Sequence, residues 1–146
     1  MFELDPAFVA TSHEIGDLGL CAARLQDDAR YPWIVLLPRH AGLRELEDLP
    51  PAALSVLMEE ILAAGRAVRA LGAASGRSVE KLNIGALGNV TPQLHIHVVG
   101  RRSDDPAWPD PVWGRGGTKA YDGHELTRAL ATVGQALGLR PQAAAR

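Results

Sequence analysis

The sequence has a single cysteine, only three Trp, two Tyr and two Phe, and almost no excess of either charge sign. Each shortage excludes something. One thiol, Cys21, allows neither an internal disulfide framework nor a Cys-based zinc knuckle, and on its own it reads as a small buried side chain. No stretch reaches the roughly 18 consecutive apolar residues of a membrane span. The opening "MFELDPAFVATSHEIGDL" is acidic where a secretory signal needs a basic segment followed by an apolar one, so a soluble, cytoplasmic protein is expected. The net charge is −2, and thirteen of the fifteen cationic residues are arginines dispersed along the chain. Without a basic stripe, neither nucleic acid nor a membrane surface is an expected partner.

What is present suits one globular domain over 1–146. The hydrophobic fraction of 47% supports a core, and 22% charged residues argue against disorder. "PPAALSVLMEEILAAGRAVRALG" places Leu54, Leu57, Met58, Ile61, Leu62, Val68 and Leu71 near the i, i+3, i+4, i+7 spacing of an amphipathic helix, with that stripe facing the core. Asp48 or the turn after it is the candidate N-cap, Pro50 and Pro51 suit the first turn, and Gly72 is the candidate C-cap. Strands are expected at Leu20–Leu25, Trp33–Leu37, Val79–Ile84 and Gln93–Val99. "GALGNVTP" forms the turn of a hairpin between the last two. "HELTRALATVGQALG" predicts a second amphipathic helix, and 140–146 a frayed end. One long helix flanked by strands, with a hairpin after it, points to an α+β fold.

The informative stretch is "QLHIHVVGRR". Side chains alternate along a strand, so Leu94, Ile96 and Val98 make an apolar face that the long helix covers. Gln93, His95 and His97 line the other face, with neighbours roughly 6.6 Å apart. Three readings compete for two imidazoles on an open strand face. They are solvent-exposed by accident, or they ligate zinc or iron with a third ligand, or one attacks phosphorus. The third ligand would be His13, His40, His124 or Asp28, and no spacing selects one. For attack, an ordinary pKa near 6.5 leaves much of the imidazole unprotonated, and a covalent intermediate divides a hard displacement in two. Gln93 could donate to the developing negative charge.

"QLHIHVV" resembles the His-x-His-x-His-x-x signature of the histidine-triad (HIT) superfamily. The likeness extends in consistent order over about 18–115, through "YPWIVLLPRHAGLRELEDL" and "LNIGALGNVTPQLHIHVV". It implies an antiparallel sheet packed against one long helix with a C-terminal helix, a homodimer, and a nucleotide hydrolase acting at an α-phosphate. His95 falls on the middle position, the attacking nucleophile, and His97 on the third, which contacts phosphate. Asn83 matches the polar residue of the preceding strand. Asn89 and Thr91 lie in the turn leading back to the site, where they bind phosphate oxygens or merely form the turn. Asp28, or Asp27, stands where the family has a group facing the ribose. His40, Arg101, Arg102 and Trp113 are further residues near the motif. Gln93 replaces the first histidine and carries no proton at neutral pH. That favours leaving groups that depart as anions, such as polyphosphates, over amines. No cofactor or metal is required, although Mg²⁺ can accompany a polyphosphate. The rival readings are a nucleotide-binding or regulatory protein with little turnover and a metal protein using the two histidines.

Overall fold

The sheet is organised around one strand that must serve two interiors. The structure, a computed structural model, describes residues 1–140; the frayed segment expected at 140–146 lies, from 141 on, outside the described residues. Five strands form one antiparallel sheet in the order β1-β2-β3-β5-β4. These are β1 (Ser12–Asp17), β2 (Cys21–Gln26), β3 (Trp33–Pro38), β4 (Lys81–Gly85) and β5 (Ile96–Arg101). Helices are α1 (Pro6–Thr11), α2 (Pro51–Ala74) and α3 (Gly123–Ala136). The α+β class, the long helix, the hairpin and the C-terminal helix all stand as the sequence indicates.

Period-2 alternation divides β5 between two cores. Ile96 and Val98 join Ile34 and Leu36 of β3 under Ile61, Ala64, Val68 and Leu71 of α2, with Ala129 and Val133 of α3 beside them. On the other face Val99 joins Trp33, Val35 and Leu37, covered by Phe8 of α1 and by Ala107 and Val112. The histidine-bearing face is therefore partly roofed rather than open. The roof comes from two segments, α1 and the stretch after β5, that carry no strong periodicity of their own.

Several boundaries move for identifiable reasons. Gln93–His95 precede the β5 ladder, which starts at Ile96. That segment is tied instead to the loop before α2, Leu94 N–H donating to Leu43 C=O at 3.0 Å. Asp48 does not cap α2; it accepts from Arg44 N–H and Glu45 N–H and closes a 3-10 turn at Leu46–Asp48, and Pro50 stands at the N-cap. Gly72 lies inside α2 rather than ending it. Its missing Cβ would sit 2.8 Å from Arg77 C=O and from a Val79 methyl, so the glycine allows the chain to fold back. The C-cap is Ser75, and Gly76 after it takes the left-handed conformation (φ 71°), with Gly76 N–H on Ala73 C=O and Arg77 N–H on Gly72 C=O, the Schellman pattern. Only four of the seven α2 stripe residues are core: Leu54, Met58 and Leu62 are exposed while Leu57, Ile61, Val68 and Leu71 are buried. One buried acid, Glu60, is satisfied by accepting Leu20 N–H and Cys21 N–H at 2.7–3.1 Å.

Gly100 of β5 marks where the sheet, α2 and the chain before β4 approach closest. A Cβ there would lie 2.7 Å from Pro32 and 2.8 Å from methyls of Val68 and Val79. Gly100→Ala is expected to destabilise the fold by about 1–3 kcal/mol through overpacking. A lower urea midpoint with an unchanged slope is the readout, and an unchanged midpoint would refute it.

Candidate functional site

His97 projects from β5 on the face opposite α2, and His95 precedes it in the same extended segment. The ring centroids are 4.8 Å apart and nearly perpendicular, at 83°. His95 Nδ1 lies 2.6 Å from the Gln93 backbone carbonyl. A carbonyl only accepts, so Nδ1 carries the proton and Nε2 keeps its lone pair. The Phe8 ring meets His95 edge-on at 4.7 Å, and the imidazole is buried between Phe8 and His97.

His97 is set the opposite way. Trp33 is diagonally across the β3–β5 ladder, and its indole N–H donates to His97 Nδ1 at 3.0 Å. An accepting Nδ1 leaves the proton on Nε2. Burial, and to a lesser degree the adjacent His95, push the His97 pKa down to about 4, so the ring is neutral at physiological pH. One ring therefore presents a lone pair at Nε2 and its neighbour an N–H. A ring nitrogen able to attack and an N–H able to donate to an anionic oxygen stand side by side.

Behind the pair lies a buried ionic group. Arg101, 1% exposed, donates through Nε and Nη2 to Asp105 at 2.8 and 3.0 Å and through Nη1 to Asn83 Oδ1 at 2.8 Å. Its guanidinium sits over the Tyr31 and Trp108 rings. Burial acts to raise the Asp105 pKa, but the Arg101 hydrogen bonds and the N–H groups of Arg102 and Trp108 outweigh it and bring it to about 2. Asn83 shares the His97 face, two ladder positions from Gly85, the pairing partner of His97. With Oδ1 held by Arg101, its amide N–H groups are left to donate. Trp113 folds back so that its ring lies 5.6 Å from His97. Its indole N–H is buried without a partner among the described residues. Gly85 permits this approach, since a Cβ there would be 3.1 Å from the indole.

A cleft of about 330 Å³ opens in front of His95, walled by Arg44, Leu87, Gly88, Pro92 and Leu94. The β4–β5 connection thus borders the site, but Asn89 is exposed and Thr91 half-buried, and among the described residues neither side chain has a hydrogen-bond partner. Two expected site residues are engaged elsewhere. Asp28 is 1% exposed and bidentate to Arg30 at 2.9 and 2.8 Å, and it also accepts from Lys119 N–H. Its carboxylate anchors the 117–119 segment rather than facing a ribose. The Gln93 side chain bonds the backbone of Glu3 and Asp5, so its amide is not free to donate into the cleft. Asp27 pairs with His13 at 3.1 Å, and His40 is exposed. Among the described residues no three His, Cys, Asp or Glu side chains cluster as metal ligands. Phe8, Trp33 and Arg44 were not legible as site residues: each lies 51 or more positions from His95 and His97, and although Trp33 and Arg44 fall within the stretch that carries the family likeness, nothing local marks their side chains as reaching the histidines.

A five-stranded antiparallel sheet packed on one long helix, with paired histidines at its inner strand β5, defines an α+β class. A HIT-domain family model matches residues 7–104, and the chain belongs to that family. Solved structures agree. A histidine triad protein from Sinorhizobium meliloti 1021 is 39% identical over 92% of this chain and 96% of its own, with a TM-score of 0.84. One from Marinobacter aquaeolei VT8 is 35% identical over 94% and 97%, with a TM-score of 0.85. A hypothetical histidine triad nucleotide-binding protein from Sulfolobus tokodaii strain7 shares 12% identity over 90% and 89% at a TM-score of 0.63, which is likeness of fold alone. No curated protein matches.

The lowered His97 pKa has a sign that can be checked. Unfolded imidazole takes a proton near pH 6.5, whereas folded His97 resists until about 4. Its contribution to stability is complete above about pH 6.5 and is lost progressively as pH falls towards 4. A ¹⁵N titration should show His97 with a bare Nδ1 and a protonated Nε2 down to about pH 4, and a midpoint at 6 or above would contradict the geometry. Trp33→Phe, which leaves Nδ1 without its donor, should cost about 1–3 kcal/mol.

Proposed function

We propose that this protein is a nucleotide hydrolase that cleaves at an α-phosphate through a nucleotidyl intermediate on His95. The observation that carries the reading is the orientation of the two rings: the His95 lone pair at Nε2 beside a neutral His97 that donates from Nε2. In the first step His95 Nε2 forms a bond to the α-phosphorus while the bond to the leaving phosphate oxygen breaks, and that oxygen departs with the electron pair. His97 Nε2–H and the Asn83 amide donate to the non-bridging oxygens, with Asn89 and Thr91 on the loop above them. Water then attacks phosphorus and releases the mononucleotide from His95.

Gln93 supplies no proton, which favours dinucleoside polyphosphates and other nucleotidyl anhydrides. Their leaving groups are stable anions. Arg44 on the cleft wall suits the outer phosphates. Glu45 and Glu47 border the same cleft, a setting for a polyphosphate carrying Mg²⁺. The chemistry itself calls for no metal or other cofactor. We place the activity in the cytoplasm, with nucleotides rather than nucleic acids as partners; no helix of the described residues is long and apolar enough to cross a membrane.

A homodimer belongs to the same reading. Strand β4 is an edge, paired only with β5, and it exposes Ile84. Beside it α2 exposes Met58 and Leu62, and the nearby Gly65 touches Leu82 of β4, so edge and stripe form one surface. An unpaired apolar edge invites a strand, and a second copy supplies an identical one. Met58→Glu with Leu62→Glu should halve the mass seen by light scattering, and a wild type that is already monomeric would end this part of the reading.

The hydrolase is tested by turnover of diadenosine polyphosphates, AMP-amidates and adenylyl sulfate with and without chelator. Wild type should turn over the anhydrides in chelator. His95→Ala should lose at least about a thousandfold while still binding AMP. Tight AMP binding with no turnover would instead identify a nucleotide-binding protein, and activity abolished by chelator would point to a metal.

A further inference from the structure

Gln93 is where this chain departs from three histidines, and its carboxamide is engaged at both ends. Its Oε1 accepts Asp5 N–H at 2.9 Å and its Nε2 donates to Glu3 C=O at 2.8 Å. The two bonds flank Leu4, so the side chain pairs with the N-terminal segment as a short piece of backbone would. Helix α1 starts immediately afterwards, with Asp5 Oδ1 accepting Ala7 N–H and Pro6 in the first turn. At its far end Arg24 holds Ser12, Nε on Oγ at 2.7 Å and Nη2 on the carbonyl at 2.9 Å. Between these two anchors Phe8, 7% exposed, presses its ring against His95.

We infer that Gln93 is a positioning residue, latching residues 3–8 across the site so that Phe8 holds the His95 ring in its attacking orientation. Gln93 then acts on His95 twice: its backbone carbonyl sets the tautomer, and its side chain pins the segment that braces the ring. Histidine could not do the second job. The two nitrogens of an imidazole diverge, whereas a primary amide offers an acceptor and a donor side by side. Glutamine at the first motif position thus replaces proton chemistry with a mechanical tie. This rests on His95 being the nucleophile, as proposed above, and the latch itself is measurable without turnover.

Gln93→Ala and Phe8→Ala are each expected to lower kcat about ten- to a hundredfold with little change in KM, because a misplaced nucleophile slows chemistry more than binding. The double variant should be no slower than the worse single one, since both open one latch. In wild type the Asp5 amide should be protected from hydrogen exchange, lose that protection in Gln93→Ala, and keep it in His95→Ala. Dispersed amide spectra serve as the control that each variant is folded. Losses that multiply in the double variant would overturn the inference. So would an Asp5 amide indifferent to Gln93→Ala, or a Gln93→His variant faster than wild type on amidates. Exchange that behaves as expected in a wild type without turnover would support the latch and count against the nucleophile.

Discussion

The structure depends on the pleat of β5. This strand lies between β3 and β4 with both faces covered, so every second residue must suit a different interior. Ile96 and Val98 meet the methyl groups of α2, and nothing polar could replace them. His97, Val99 and Arg101 meet the second layer, where two of the three carry polar atoms that burial would penalise unless paired. Each is paired: His97 with the Trp33 indole, Arg101 with Asp105 and Asn83. A one-residue slip of register would place both polar side chains in the α2 core. The alternation that builds the fold and the alignment that builds the site are therefore one constraint.

That constraint also sets the chemistry of the imidazoles. Hydrogen bonds decide which nitrogen of each ring carries its proton, and both decisive partners come from structure rather than from the motif. The Gln93 carbonyl can only accept and the Trp33 indole can only donate, so the two rings adopt opposite tautomers. Burial then keeps His97 uncharged. A charged His97 would draw a phosphate more strongly, but its second proton would fall on Nδ1, where it would displace the Trp33 indole N–H, and the charge would be buried. A neutral donor avoids this while still bonding an anionic oxygen.

The second face is roofed by the least periodic parts of the chain. Helix α1 is only six residues long, too short to persist alone, and it is held by tertiary ties at both ends. The stretch after β5 is ordered by Asp105, which collects the Arg101 guanidinium and the N–H groups of Arg102, Ala107 and Trp108. Both segments bring an aromatic ring to the histidines, Phe8 to His95 and Trp113 to His97. Here the sheet supplies the two imidazoles, and the segments before β1 and after β5 supply their surroundings.

Local pattern was enough for the framework: the amphipathic spacing of α2, the turn-rich connection before "QLHIHVV", and the alternation that puts His95 and His97 on one side. Those features depend on near neighbours in sequence, and so they survive without a structure. The family likeness of the motif also rested on contiguous residues. What contiguous residues did not decide is where long-range partners settle. Asp28 looked suited to a ligand and instead anchors Arg30. Gln93 looked like a donor to substrate and instead ties down residues 3–5. Leu54, Met58 and Leu62 fit the same helical pattern as the core residues but lie on the outer side of α2. Trp33, Phe8 and Arg44 reach the site from far along the chain. Because period and adjacency are local, sequence by itself determined the two longer helices and four of the five strands, but not α1 or β1, and it determined the two imidazoles. Only the tertiary structure decided their tautomers, their charge and what surrounds them, because those follow from hydrogen bonds and burial between residues brought together by folding.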